Sequence, residues 1–345
     1  MMSRPALSPW SLGATVFIVT GCANPIILDH ALVSQFGYSS LAWGILALVT
    51  ALYGTYWNVH LADVNLQGWR AVGARWIGYL RAPFFVIGAG LLLNSWVNIV
   101  STIDLPATPR VVLVLASIAP AIWALRLGVE LVIRVAAFIG SLMIPGVLLM
   151  VLGVVPHIRW LEFLPNPLHL GTPAFIWPAV LFAPRGYVII PAFGPLVRGR
   201  YHYAVFIGVL AGAILLLVTL MEGPLVFGVP VAAQMPHPFL RAIATISSPY
   251  LPLQRVAFMS SIIWQAVVFA TTVVLAVTAL QDLRVTVHPL VPWPWVLGAM
   301  GVVVWVALFT WTEDVFLPIL TLWSLWGIIL FLIAPVVLTL GRVRS

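Results

Sequence analysis

Two short stretches of this chain combine side chains able to grip a small molecule with residues that release main-chain groups from a helix. They are Val19-Thr20-Gly21-Cys22-Ala23-Asn24-Pro25 and Leu181-Phe182-Ala183-Pro184-Arg185-Gly186. Each interrupts an apolar run where an unbroken helix would want neither Gly nor Pro. Freed N–H and C=O groups are hydrogen-bonding partners in search of a ligand. Asn24 is a good N-cap and Pro25 a good first helical residue, so a half-helix restarting there would turn its positive dipole end toward the gap and attract a carboxylate. Arg185 adds a full positive charge, which costs about 2.5–3.5 kcal/mol at the centre of a membrane helix and therefore needs compensation. A ligand carboxylate, an acid elsewhere in the bundle, or a route for the guanidinium to the interface would each supply it. The candidate contacts are Thr20, Gly21, Cys22, Ala23 and Asn24 from the first stretch, with Phe182, Ala183, Pro184, Arg185 and Gly186 from the second.

Further polar groups sit in apolar surroundings. Asn94 and Asn98 stand four apart on one helix face, where their amides serve either a ligand or a neighbouring helix. Gln265 shares its segment with Ser260, Ser261, Thr271 and Thr272, which could coordinate an ion or substrate or simply bond their own backbone. Glu130 and Arg134 have the order and spacing of a helical ion pair, a structural role. Asp29, Glu222, Glu313 and Asp314 are expected at the outer surface. Enzyme signatures are missing: the seven His are scattered, no His-Glu-x-x-His occurs, and one Cys cannot build a zinc cluster. Gly88-Ala89-Gly90 lacks the rest of a dinucleotide fingerprint, and Gly208 and Gly212 have the spacing of close helix contact. No metal, cofactor or nucleic-acid partner is expected.

The elements that must hold these residues follow from composition. With 62% hydrophobic and 7% charged residues, the 345-residue chain is an integral membrane protein. Its apolar runs of roughly 20 residues predict helices rather than barrel strands. Ten spans are expected, near 11–33, 38–57, 76–102, 110–126, 128–154, 173–197, 202–222, 255–280, 293–311 and 315–340. With the N-terminus in the cytoplasm, ten of the 16 Arg fall on inner segments, and Arg110, Arg159, Arg241 and Arg255 on outer ones. That bias puts both termini inside. The +7 charge is thereby explained without nucleic acid. The polar segment from Asn58 to Arg75 is expected on the inner surface. Phe239–Ile246 is expected as a short helix over the outer mouth, either a lid or a plain connector. Arg4, an apolar run and Val19-Thr20-Gly21-Cys22 also have the form of a lipoprotein signal, but the apolar continuation past Ala23 favours a membrane span.

The two broken spans lie about half the chain apart, at matching places in halves 11–154 and 173–340 of one transmembrane domain. An odd number of spans per half inverts the second. Interrupted helices at equivalent points of an inverted repeat point to a substrate site near the bilayer midplane. The alternative is a pair of ordinary proline kinks.

Several stretches resemble the spore germination proteins that form the B subunit of nutrient germinant receptors, within the amino acid–polyamine–organocation superfamily. They are Leu7-Ser8-Pro9, the Gly21–Pro25 break, Leu105-Pro106-Ala107-Thr108-Pro109 and Gly128-Val129-Glu130-Leu131-Val132-Ile133-Arg134. His237-Pro238 with Arg241 and Ile243, and Leu253-Gln254-Arg255 followed by Trp264, extend the likeness over nearly the whole chain. Tyr187 and Ala257 depart from it, standing where acids would be expected. The resemblance implies ten helices in a five-plus-five inverted repeat, a germinant pocket beside the first and sixth helices, and residence in the spore inner membrane. It also implies two partners, an A subunit and a C-subunit lipoprotein. The chain then reads as a ligand-sensing membrane subunit for a small, amino acid-like nutrient, with a secondary amino acid transporter as the alternative.

Overall fold

A computed structural model describes residues 7–22, 40–63, 74–158, 177–235, 238–244, 253–286, 293–309 and 313–337. Among the described residues the chain is helical, with one isolated bridge between Leu7 and Val197 and no strand. The first half holds α1 (Pro9–Phe17, continued by a π-helical turn Ile18–Cys22) and α2 (Ser40–Asp63). It continues with α3 (Ala74–Ile99, ending in a π turn Val100–Asp104), α4 (Arg110–Leu127) and α5 (Val129–Val154). The sixth segment comes in pieces: α6 (Trp177–Leu181), a 3-10 turn Arg185–Ile189, α7 (Ile190–Phe193) and a second 3-10 turn Gly194–Leu196. After it come α8 (His202–Phe227), the short α9 (Val229–Ala232) and α10 (Pro238–Ala244). The chain then forms α11 (Leu253–Thr286), α12 (Trp293–Leu308) and α13 (Glu313–Ile328, running into a π turn Ile329–Ile333).

Five of the described helical stretches are long and apolar enough to cross a membrane: Tyr79–Thr102, Val129–Gly146, His202–Phe227, Ile262–Leu283 and Val315–Val337. Pro9–Gly21, Arg110–Trp123 and Val296–Leu308 are shorter apolar helices. The outward faces are apolar as well. Trp123, Phe138, Leu152 and Leu322 are each more than 60% exposed, an arrangement that suits hydrocarbon rather than water. The protein is therefore a membrane protein, as its composition requires.

Small residues let the central helices meet. In α8, Gly208 lies against the backbone of Gly13 and Gly212 against Thr20 and Phe17 of the first helix, the close contact that their spacing predicts. In α3, Gly88 receives the Trp323 indole and Gly90 the Val306 side chain, the small-residue packing expected there. α3 packs along α11 and α12, and α1 along α8 and α5. The start of α1 is tied to the end of the sixth segment, where Leu7 N–H donates to Leu196 O and Arg198 N–H to Leu7 O, each at 3.2 Å.

Several helices run past their expected ends, α2 among them. Asn58, assigned by sequence to an inner-surface link, lies fully buried within α2. Its amide Nδ2 donates to Gly54 O at 2.7 Å and to Phe331 O at 2.8 Å. The helix runs on because Asn58 finds acceptors there, one of them in the widened turn of α13. A π turn leaves a carbonyl short of its usual partner, and a side-chain amide is well suited to meet it.

Candidate functional site

The sixth segment is broken where its sequence predicts. Pro184 has no N–H to donate and disfavours helical geometry at Ala183, so the α6 ladder stops at Leu181. Phe182 N–H still reaches Pro178 O (3.0 Å) and Ala183 N–H reaches Val180 O (3.1 Å), after which Arg185 N–H turns back to Ala183 O at 2.8 Å. From Phe182 to Gly194 every residue is buried.

The first helix behaves differently. It does not come apart at Thr20 and Gly21: it widens into the π turn Ile18–Cys22, and Thr20 Oγ1 donates to Val16 O at 2.7 Å. The side chain of Cys22 and all of Ala23 and Asn24 fall outside the described residues, and so does the restart at Pro25. The two distorted segments nevertheless meet. A Cβ built on Gly186 would run into Thr20 Oγ1 and Val16 O, and one built on Gly21 would stand 2.8 Å from the Cα of Gly212. Gly186 is thus in direct contact with Thr20, while the face of Gly21 is spent on α8.

Beside this junction the side chains of the break enter an aromatic box. The Phe182 ring is fully buried, edge-on to Phe84 (5.8 Å), Trp323 (5.7 Å) and Tyr187 (6.1 Å). Gly327 and Gly54 make room, since a Cβ on the first would strike the Phe182 ring and one on the second the Tyr187 ring. Arg185 is 2% exposed, with its guanidinium carbon 4.8 Å from the Trp323 ring centre. Among the described residues no carboxylate pairs with it, and both its Nε–H and the Tyr187 hydroxyl lack a hydrogen-bond partner. Trp323 Nε1 is already occupied, donating to Phe84 O at 2.9 Å. A stacked indole offsets part of the cost of a buried guanidinium; an anion would offset far more.

The remaining candidates lie elsewhere. Asn94 Nδ2 is within 2.7–3.1 Å of the carbonyls of Val306, Ala307 and Phe309, so it fastens α3 to the end of α12. Asn98 is exposed and accepts from Arg110 Nη1 at 3.2 Å. Gln265 is half-buried on α11. Thr271 and Thr272 bond Val267 O and Val268 O of their own helix, while the side chains of Ser260 and Ser261 are outside the described residues. Glu130 and Arg134 form their expected ion pair on α5. A cleft of about 770 Å³, including its open mouth, lies between α3, α4, α11 and α12. It is walled by residues such as Ala89, Ile118, Phe269 and Met300 and offers little to a polar ligand.

Two features escaped sequence reasoning. Arg81 is 6% exposed and pairs through Nε with Asp282 Oδ2 at 3.2 Å, joining α3 to α11. Its guanidinium also stands 5.2 Å from the Phe331 ring centre. Some two hundred residues separate the partners, so no local pattern announces them. The other is a correction: Glu222, expected at the outer surface, is 4% exposed. α8 continues past it to Phe227, and Pro238 of α10 closes against Gly223. The short helix expected within Phe239–Ile246 is present as Pro238–Ala244, with Phe239 fully buried against Trp264.

The sequence model of a family described as spore germination protein matches residues 40–314, well over half of the chain. No curated protein matches it.

Proposed function

Because the chain belongs to the spore germination protein family, we propose that it is a ligand-sensing membrane subunit of a germinant receptor, binding a small amino acid-like nutrient to trigger germination. The observation that carries the reading is Arg185, a guanidinium buried in the helix break with no acid to pair with among the described residues, beside the unpartnered Tyr187 hydroxyl. A nutrient carboxylate is the complement of both donors. Phe182 and Trp323 would shape the pocket, and the main chain of Ala183, Pro184 and Gly186 and of Thr20 to Asn24 would complete it.

A five-plus-five inverted repeat, residues 11–154 and 173–340, would put the seat near the bilayer midplane. Spore inner membrane, cytoplasmic termini, an A subunit and a C-subunit lipoprotein are the setting that the family suggests. Contact of Gly186 with Thr20 and Val16 means that a ligand entering here has to part the two segments. Binding can drive such a change only through unequal affinity for the parted and closed forms, which is how occupancy would become a signal. The role is receptor-like and needs no catalysis.

The experiment uses the purified full-length protein with labelled amino acids, measuring binding in nanodiscs and flux in liposomes. Saturable binding without flux is the expected result; net uptake would make the protein a secondary transporter with the same seat. Replacing Arg185 by Gln removes a charge-assisted hydrogen bond of about 1.5–3 kcal/mol, a loss of roughly 10- to 100-fold in affinity for an anionic nutrient. An unchanged affinity would take Arg185 out of the site.

A further inference from the structure

Glu222 stands apart from the nutrient seat and has no part in it. It lies in the longest uninterrupted apolar helix of the described residues that spans by composition, His202–Phe227, near the end where α10 packs. Its carboxylate is buried, and among the described residues neither Oε1 nor Oε2 has a hydrogen-bond partner. The chain around it is buried too: Thr219, Leu220, Met221, Gly223 and Pro224 on its own helix, and Phe239 and Ala242 of α10.

Among the described residues, the charged and titratable groups on the helices packed against α8 are exposed or held by other partners. Tyr53, Tyr56 and His60 of α2 and Arg241 of α10 are exposed, Glu130 and Arg134 of α5 hold each other, and Arg185 lies over Trp323 with Tyr187 beside it. An ionised carboxylate stripped of water and left without a donor is uphill by several kcal/mol. Two things relieve it: a bound metal cation, or a proton. A hard cation demands six or more oxygen ligands, whereas the described residues hold no cluster of three or more His, Cys, Asp or Glu, and the helix around Glu222 is largely apolar.

We propose that Glu222 is a proton-binding site, a carboxyl group that takes a proton from solution to become neutral, is then covered by the Pro238–Ala244 helix, and returns the proton to water when that cover is displaced. Next to it in sequence, at Gly223, α8 meets Pro238 and Phe239 of α10. A Cβ on Gly223 would fall 2.6 Å from the Pro238 Cβ, so the smallest residue at this point lets α10 come down onto α8. The Phe239 ring, 4.8 Å from that of Trp264, anchors the same helix to α11. Proton occupancy of Glu222 and closure of α10 are thereby linked: ionising the group favours the uncovered form.

Infrared difference spectra of the full-length protein in nanodiscs, wild type against Glu222→Gln, test this at neutral pH. The expected result is loss of one protonated-carboxyl C=O band in the variant. Loss of carboxylate bands instead would show an ionised group and overturn the proposal. If Glu222→Gln fails to fold, the wild-type protein is treated with a hydrophobic carbodiimide, which attacks protonated carboxyls, and modification of Glu222 is measured by mass spectrometry across pH. Labelling that persists at neutral pH and falls only as pH rises further, equally in sodium and potassium, supports the site. Modification that is absent at every pH, or blocked by sodium at constant pH, overturns it. Neither readout depends on nutrient binding, so failure here leaves the proposed nutrient seat untouched.

Discussion

Single side chains in this protein show how context assigns a role. Two arginines are buried to similar depth, yet Arg81 has Asp282 for a partner while Arg185 has the face of an indole. The first is best read as structure. Removing one member of a buried pair leaves the other uncompensated, so Arg81→Leu and Asp282→Leu are each expected to cost about 3–5 kcal/mol, with the double replacement recovering most of the loss. Equilibrium unfolding in detergent measures it. A double variant as damaged as the two single losses combined would show that the pair is not the unit. Asn94 makes the complementary point: an amide placed to serve either a ligand or a helix is held by three carbonyls of the α12 end, whose unmet acceptors are what an amide can satisfy.

At the scale of elements, the first and sixth segments depart from regular helix by different means. The sixth breaks because proline deletes a donor and restrains the residue before it; the first keeps its hydrogen bonding and absorbs the disturbance in a π turn. What joins them is the absence of side chains. Gly13, Gly21, Gly208 and Gly212 let α1 and α8 touch along their backbones, so any Cβ there pushes on main chain, which cannot swing aside. Gly21→Ala and Gly212→Ala are expected to destabilise the fold by about 1–3 kcal/mol through overpacking. Gly298→Ala, where a Cβ meets nothing within 4 Å, should shift stability by no more than about 1 kcal/mol, upward. Thermal unfolding in detergent separates the two cases, and equal effects at all three positions would contradict this packing.

For the whole molecule, the charge bias predicts how the bundle sits in a bilayer. In a Cys22→Ser background, a cysteine replacing Ser3 or Ser345 should react with a membrane-impermeant maleimide only after cells are permeabilised, and one replacing Arg241 should react in intact cells. Labelling of the two ends from opposite sides would exclude an even number of spans with both termini inside. The same orientation sets the face on which α10 covers Glu222. It also sets the face toward which parting of the first and sixth segments would open a nutrient seat.

Membrane class, helical content and the break at Pro184 were all legible in the sequence, because each follows from local terms: hydropathy summed over a span, and the lost N–H of one proline. So was the close approach at Gly208 and Gly212, which spacing on one helix face encodes. The tertiary structure alone decided which groups were left without partners. The closure of α10 on Gly223 beside Glu222 depends on Pro238 of a separate helix, the pairing of Arg81 on Asp282 far along the chain, and the setting of Arg185 on the aromatic rings that fold around it. Those are properties of what surrounds a side chain in three dimensions, and a charge in an apolar run has no local signal that tells a bound partner from an open place for one.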